Sequence, residues 1–442
     1  MSMLVLAFLL PFLTWVQAAG CALLALSFNV FVLPHLDVDH RATGPSSHRA
    51  IGRSADGPMN RWLIVPYPIS VLVLILVYRH HMEIVAAAWA IMALGDGMAS
   101  VIGQAFGGPL LSWNRKKTWS GFFGFVGAGT LGAYVLTRWV NPALPADGVL
   151  RVCAATALVG ALVETVPIRL DDNVSVPLVA GGFMFCALLM ERSALASNLP
   201  YLGRRVVLAS VVNLVFALLA LALKMVDRSG AACGFMLGAA VYLGYGYKSF
   251  SVMLVFFVVA SLTTRAGYAR KAARGIAEKR GGARGWREAL ANSLAGAFFA
   301  VLVITTHQEA AFLAALVATF AEAAGDTVSS EIGQWLSDRA YLITTFEPVR
   351  AGENGGVTAG GTAAGLVASA LVVAVGYGMG LCGKGGAGIA LVAAFAGNLF
   401  DSLLGATLER RGLVSNGIVN FAATSFAGGL ALSVAFRFAP IR

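Results

Sequence analysis

The chain has 442 residues, of which 58% are hydrophobic and only 12% charged, with a mean hydropathy of +0.77 and a formal net charge of +10. These proportions exclude a soluble globular domain with a polar exterior and identify an integral membrane protein. Five scattered cysteines, Cys21, Cys153, Cys186, Cys233 and Cys382, contain no CxxC pair, so neither a disulfide framework nor a thiolate metal site is expected.

A bilayer demands about 20 apolar residues per helix. Runs bounded by charge, Pro or Gly fall at 10–33, 62–78, 84–106, 119–138, 149–168, 173–190, 205–224, 230–246, 249–264, 288–306, 310–336, 356–378, 386–408 and 418–437. The chain therefore reads as an all-α polytopic protein with about fourteen transmembrane helices. The first run is not expected to be a signal peptide, because no Lys or Arg precedes it and apolar sequence continues past Cys21. Counted alternately from an external N-terminus, the loops on one side collect 22 of the 32 Lys and Arg, which makes that side cytoplasmic. A bacterial inner membrane is the expected location. Topology and anionic lipid account for the positive charge, and no nucleic-acid partner is implied.

The run 84–106 contains Gly95-Asp96-Gly97-Met98-Ala99-Ser100-Val101-Ile102-Gly103-Gln104, and 230 residues later the run 310–336 contains Gly325-Asp326-Thr327-Val328-Ser329-Ser330-Glu331-Ile332-Gly333-Gln334. Six of the ten positions are identical. A carboxylate in an apolar span costs about 2.5–3.5 kcal/mol on the insertion scale, so Asp96 and Asp326 are site candidates by default. On a helix, Asp96, Ser100, Gly103 and Gly107 share one face, and Asp326, Ser330 and Gly333 repeat that face. A small-residue packing seam would explain the glycines, but not Asp, Ser and Gln recurring together.

The same offset carries the run 62–78 close to 288–306 and the loop 35–61 onto the basic loop 265–287, with about eight extra residues after the second decapeptide. The predicted organisation is two parallel repeats of about six helices each, 1–195 and 247–442, joined by two linking helices in 196–246. Both decapeptides should then open to the cytoplasm.

After the first decapeptide, Lys116, Lys117 and Thr118 stand in the stretch Trp113–Gly121, where cations and hydroxyls suit a polyphosphate at the membrane surface. No GxxxxGK[ST] occurs, so this is not a Walker A loop. Glu164 lies near the end of one run and Asp171-Asp172-Asn173 opens the next. Hard oxygen donors beside a Lys pair are what Mg2+ with a nucleoside triphosphate requires. A favourable helix dipole would explain one Asp, but not the group.

The second repeat offers Glu322, Asp326, Ser330 and Glu331, then Arg339, Arg350 and the Gly-rich stretch Gly352-Glu353-Asn354-Gly355-Gly356-Val357-Thr358, then Asn398, Asp401, Ser402, Arg410 and Arg411. Candidate catalytic carboxylates are Asp96, Asp171, Asp172, Asp326 and Asp401, and candidate metal ligands are Asp96, Glu164, Asp171, Glu322, Asp326 and Glu331. Candidate nucleotide contacts are Ser100, Lys116, Lys117, Thr118, Asn173, Ser330, Arg339, Glu353, Asn354, Gly355, Gly356, Ser402 and Arg410. The loop 35–61 holds four Arg with His35, His40 and His48, whereas 265–287 holds eight Lys or Arg. The added cations suit a substrate that already bears phosphate, or serve as an orientation signal alone. The histidines lack zinc-ligand spacing.

Through Gly95-Asp96-Gly97, Lys117-Thr118, Gly121, Glu164 and Asp171-Asp172-Asn173, the first half resembles the phytol kinase and dolichol kinase family over about residues 55–190. The second half resembles the phytyl-phosphate kinase family over about residues 240–430. That similarity runs through Thr263-Thr264-Arg265, Arg270-Lys271, Gly281-Gly282-Ala283-Arg284-Gly285-Trp286, Ala291-Asn292, Asp326-Thr327, Ser330-Glu331-Ile332-Gly333, Gly355-Gly356-Val357-Thr358 and Asp401-Ser402-Leu403-Leu404-Gly405. The resemblance implies a fusion in which the first half phosphorylates a membrane prenol and the second phosphorylates the prenyl phosphate, with CTP as donor and Mg2+ as cofactor. One departure stands out. Lys116 and Lys117 have no Lys counterpart in the equivalent loop of the second half, where Arg339, Arg350 and Glu353 stand instead. Rival readings are cytidylyl transfer to a lipid phosphate and a transporter with duplicated units, although a transporter would place its polar groups near the midplane.

Overall fold

The structure, a computed structural model, describes residues 2–32, 65–277 and 279–438. The loop 35–61, with His35, His40, His48 and its arginines, lies outside the described residues. The chain divides into two compact units, residues 1–188 and 189–442.

In unit 1, Thr14 caps α1 (Trp15–Ser27). Its hydroxyl accepts from the Gln17 N–H, while the Gln17 side chain accepts from the Thr14 N–H. α2 (Pro66–Val77) opens on proline, whose fixed φ and missing N–H suit a first turn. α3 (Met82–Ala90) passes through a π turn (Ile91–Asp96) into α4 (Gly97–Phe106), giving a continuous span of 25 residues. Around it pack α5 (Trp119–Val140), α6 (Ala146–Thr165) and α7 (Asp172–Leu188), while α2 leans on α7. The buried ring of Phe125 fills the space beside Gly95, where an added Cβ would stand 2.8 Å from it. Glycine at that position lets α5 approach the π turn that carries Asp96.

Unit 2 begins with α8 (Arg192–Ala222) and α9 (Arg228–Tyr245). α8 starts well before the apolar run at 205 because Arg204 and Arg205 are absorbed into the helix. The Arg205 guanidinium donates to the Leu243 and Gly244 carbonyls at 3.2 Å each, satisfying acceptors that the end of α9 leaves open. α10 (Tyr247–Arg265), α11 (Tyr268–Ala273) and α12 (Trp286–Thr305) follow, and α9 packs against both α10 and α12. The two helices expected as a separate linker thus cluster with the second unit. α13 (Glu309–Leu336) is its centre, buried along most of its length and touching α10, α12, α14 (Ala359–Gly378), α15 (Lys384–Leu404) and α16 (Asn416–Phe438). A π turn, Gly405–Glu409, ends α15, and α12 leans on α16.

Each of the fourteen apolar runs coincides with a helix. Among the described residues eleven helices are long and apolar enough to cross a membrane, while α2 and α7 are shorter apolar helices and α9 falls outside both groups. The protein is an integral membrane protein of helical class, with one departure from the all-α expectation. Between α13 and α14 lies a small antiparallel sheet of order β2-β1-β3, with β1 (Arg339–Leu342), β2 (Pro348–Arg350) and β3 (Gly356–Val357). Arg339 opposes Arg350 and Tyr341 opposes Val357. The connection that carries it, 337–358, is longer than its counterpart 107–118 in unit 1, and Gly352 and Gly355 take φ of 94° and 76° to turn the chain back between β2 and β3.

Candidate active site

Three elements of unit 1 converge on one point. Asp96 ends the π turn, Glu164 sits in the last turn of α6, and Asp172 is the first residue of α7. One carboxylate oxygen from each lies within 4.8 Å of the others, with Glu164 buried and the other two half-buried. Lys117 forms an ion pair with Glu164 and stands 3.9 Å from Asp172 Oδ2.

The chain before α5 folds back to deliver Lys117. Leu111 N–H donates to the Lys117 carbonyl at 2.9 Å and Trp119 N–H to the Pro109 carbonyl at 3.0 Å. Trp113 Nε1 donates to Thr165 Oγ1 at 3.2 Å and Asn114 Nδ2 to the Thr165 carbonyl at 3.0 Å, which pins the loop to the end of α6. With one ammonium against three carboxylates, the group keeps two negative charges when all are ionised. A divalent cation would balance that charge, and the all-oxygen donor set is of the kind that Mg2+ takes.

The other expected residues of this half are placed as follows. Thr118 caps α5, its Oγ1 accepting from Gly121 N–H at 3.1 Å. Ser100 is exposed on α4, a turn beyond Asp96, and the Lys116 side chain is exposed. Asp171 Oδ1 accepts from the Asn173 backbone N–H at 2.9 Å and from Asn173 Nδ2 at 2.8 Å. Those two residues build the start of α7, and Asp172, not the expected metal ligand Asp171, enters the carboxylate group. A turn that satisfies its own amides points successive side chains in different directions, and spacing alone does not choose between neighbours.

Unit 2 encloses a cavity of about 500 Å³. Asp326, Ser330 and Glu331 line it from α13, Asp401 and Ser402 from α15, and Glu353, Asn354, Gly355 and Gly356 from the turn before and into β3. That turn lies against the π turn after α15, where a Cβ at Gly405 would stand 2.9 Å from Gly355 N. Asp401 is within electrostatic reach of Asp326, as is Arg284. Asp401 Oδ2 is buried and has no hydrogen-bond partner, which leaves room for a cation or a donor from a ligand.

Among the described residues the expected metal set of this half, Glu322, Asp326 and Glu331, forms no compact ligand group, although both glutamates lie within electrostatic reach of Asp326. Glu322 is 1% exposed, does not line the cavity, and packs its Cγ against Gly397 of α15. Glu331 is paired with Lys271. Nine residues separate Glu322 from Glu331 on one helix, which turns them roughly 180° apart. Arg339 is exposed on β1 and outside the cavity lining, and Arg410, also outside it, pairs with Glu353 at 3.8 Å.

Some residues in or behind the wall of this cavity were not among the expected site residues. Lys271 of α11 is wholly buried, holds Glu331, and donates to the Thr264 carbonyl at 2.9 Å and the Thr263 carbonyl at 3.4 Å. Its place in a basic loop hid it, since nothing local distinguishes it from the cations around it. Asn416 and Asn420 line the cavity beside Asn398, which the sequence had already offered. An amide inside an apolar run is a readable signal, because hydrocarbon offers it no partner.

The integral membrane protein family DUF92 matches residues 211–428, which lie within unit 2 and include most of the cavity lining. An uncharacterized membrane protein of Synechocystis is 34% identical over 214 residues, 48% of this chain and 83% of that protein. Protein VTE6, chloroplastic, of Arabidopsis thaliana is 35% identical over 201 residues, 44% of this chain and 60% of VTE6. A probable phytol kinase, chloroplastic, of Triticum aestivum is 33% identical over 118 residues, 25% of this chain and 39% of that protein. The alignments thus span less than two thirds of both plant proteins. No solved structure matches the chain. On the match to the Synechocystis protein over most of that protein's length, together with the profile on unit 2, the chain belongs to the DUF92 family of integral membrane proteins.

Proposed function

We propose that this protein is a membrane kinase of isoprenoid lipids, in which unit 1 phosphorylates a prenol and unit 2 phosphorylates the resulting prenyl phosphate, each from CTP. The observation that carries the reading is the group formed by Asp96, Glu164 and Asp172 with Lys117 against it, an arrangement suited to a metal-bound polyphosphate at the end of an apolar bundle. The similarity to VTE6 and to a probable phytol kinase supports the isoprenoid substrate class.

Asp96, Glu164 and Asp172 would hold Mg2+ in unit 1, and Asp326 with Asp401 would hold it in unit 2. Bound Mg2+ offsets charge on the phosphate oxygens during transfer. Lys117 neutralises a phosphate in unit 1, and its hold on Glu164 keeps that carboxylate oriented. Thr118 fixes the start of α5 and with it the loop that carries Lys117. The prenol oxygen bonds to the γ-phosphorus of CTP as the bond to the bridging oxygen breaks, the hydroxyl proton passes to a carboxylate of the group, and CDP leaves. In unit 2 the attacking phosphate oxygen is already ionised and needs no base. Arg284 supplies the positive charge that steadies it, and the Glu353–Gly356 turn offers backbone N–H groups to the phosphates. Both sites open, on this reading, to the side rich in Lys and Arg, the cytoplasmic face of a bacterial inner membrane or its chloroplast equivalent.

The test uses purified protein in nanodiscs with Mg2+, γ-labelled CTP and either phytol or geranylgeraniol. Label is expected first in the prenyl monophosphate and then in the diphosphate, with CDP as co-product. Release of diphosphate with formation of a CDP-lipid would replace the kinase reading with cytidylyl transfer, and no nucleotide consumption would remove both.

A further inference from the structure

A second concavity of unit 2 lies among α8, α9 and α10, and no residue of its lining is charged. Phe216, Val226, Gly230, Gly234, Leu254 and Phe257 are among its walls, with Asn213, whose side chain donates to the Ala209 carbonyl of its own helix. Its volume of about 80 Å³ is several times the roughly 10–15 Å³ that admits one water. Such a space takes a short hydrocarbon segment, not a whole lipid tail. α8 and α9 have no counterpart in the six helices that the two halves were expected to share, so the groove belongs to unit 2 alone.

Its position relative to the polar cavity is the informative feature. α10 borders both spaces: Phe250, Leu254 and Phe257 line the groove, and Thr264, seven residues past Phe257 on the same helical face, lines the cavity. Arg284 stands where the two spaces approach each other. Arg284 N–H donates to the Met225 carbonyl and Asp227 N–H to the Arg284 carbonyl, each at 3.0 Å, which clamps Val226 beside it. Gly230 abuts the same Arg284 carbonyl so closely that a Cβ there would overlap it. The guanidinium end of Arg284 lies 6.0 Å from the centre of the Phe256 ring and lines the cavity with Asp326. One residue therefore stands between an apolar groove and a polar cavity, offering its charge to the cavity and its backbone to the groove's wall.

We propose that the groove between α8, α9 and α10 binds the phosphate-proximal isoprene segment of a prenyl phosphate whose phosphate lies in the cavity at Arg284. The rest of the chain runs out into the bilayer. This rests on the reading of unit 2 as acting on a prenyl phosphate, and it assigns to the two extra helices the task of selecting an isoprenoid phosphate over other anionic lipids.

The experiment uses the full-length protein in phosphatidylcholine nanodiscs with geranylgeranyl monophosphate carrying a diazirine on its first isoprene unit, followed by mapping of the labelled residues. Labelling is expected on the groove face of α9 and α10, to fall at least ten-fold on addition of excess unlabelled geranylgeranyl phosphate, and to be indifferent to excess phosphatidic acid. Gly234→Leu fills the groove, since an added Cβ at Gly234 meets nothing within 4 Å. That variant should lose the labelling and raise KM for the prenyl phosphate at least ten-fold while leaving KM for CTP unchanged, and Gly234→Ala should behave as wild type. Labelling spread over lipid-facing helices, or displaced equally by phosphatidic acid, overturns the groove assignment. Because labelling requires no turnover, specific labelling in a protein without kinase activity would sink the catalytic reading and leave the groove standing, whereas kinase activity with labelling elsewhere would sink the groove alone.

Discussion

Lys271 and Glu331 form an ion pair in which neither side chain is more than 8% exposed. The ammonium is also engaged by the Thr263 and Thr264 carbonyls at the end of α10, so its donors are all occupied and none is left for a phosphate. Lys271 is therefore a strut that ties the basic loop to α13, in contrast to Lys117, which is one-third exposed and faces the open carboxylate group of unit 1.

Removing one partner of that strut should strand a buried charge. Lys271→Met is expected to destabilise unit 2 by roughly 3–5 kcal/mol, whereas Lys271→Met with Glu331→Leu should recover most of the loss. Thermal unfolding of the purified protein in detergent measures both. Equal stability of the single variant and wild type would show that the pair is not holding the loop.

Asp96→Asn should abolish phosphorylation of an added prenol but leave conversion of an added prenyl phosphate intact, and Asp326→Asn should do the reverse. Product analysis with each substrate supplied separately reads this directly. Loss of both activities in either variant, with the protein still folded, would end the division of labour between the units.

Lys117→Gln leaves the carboxylates of Asp96, Glu164 and Asp172 without their cation. Binding of Mn2+, followed by electron paramagnetic resonance, should tighten because the group gains net negative charge. Prenol turnover should fall by roughly 10²–10³-fold, because a charge aimed at the transferring phosphate is lost. Weaker Mn2+ binding would mean that Lys117 organises the ligands more than it competes with the metal.

The approach of α5 to the π turn depends on Gly95. Gly95→Ala drives a methyl into the Phe125 ring and should cost about 1–3 kcal/mol, with Phe125→Leu in the same chain relieving part of it. Denaturation midpoints of the two variants decide the matter, and additive losses would refute a direct clash.

Ser100 and Ser330 are both exposed and hold matching places in the two decapeptides. Cysteines introduced at each position, in a background without the native cysteines, should react with a membrane-impermeant thiol reagent from the cytoplasmic side alone. Reaction of the two positions from opposite sides would rule out the parallel repeat.

Much of the fold could be read along the chain because transfer into hydrocarbon is a sum over neighbouring residues. Every apolar run became a helix for that reason. Asp96, Glu164 and Asp326 were visible as candidates for a related reason, since a carboxylate in or beside an apolar run has no local compensation. The start of α8 was not visible, because Arg204 and Arg205 look like a loop until the carbonyls that end α9 accept one of them.

Composition and periodicity alone thus determined that the chain spans a membrane as a bundle of helices and that costly polar groups sit in matching places. Tertiary structure alone decided which of those groups meet. Asp172 joins Asp96 and Glu164 while its neighbour Asp171 closes a turn, Glu331 takes a lysine 60 residues away, and Glu322 turns toward α15. The physical reason is that insertion energy adds up residue by residue, whereas an ion pair depends on the helical phase and approach of segments distant in sequence, and hydropathy carries no record of either.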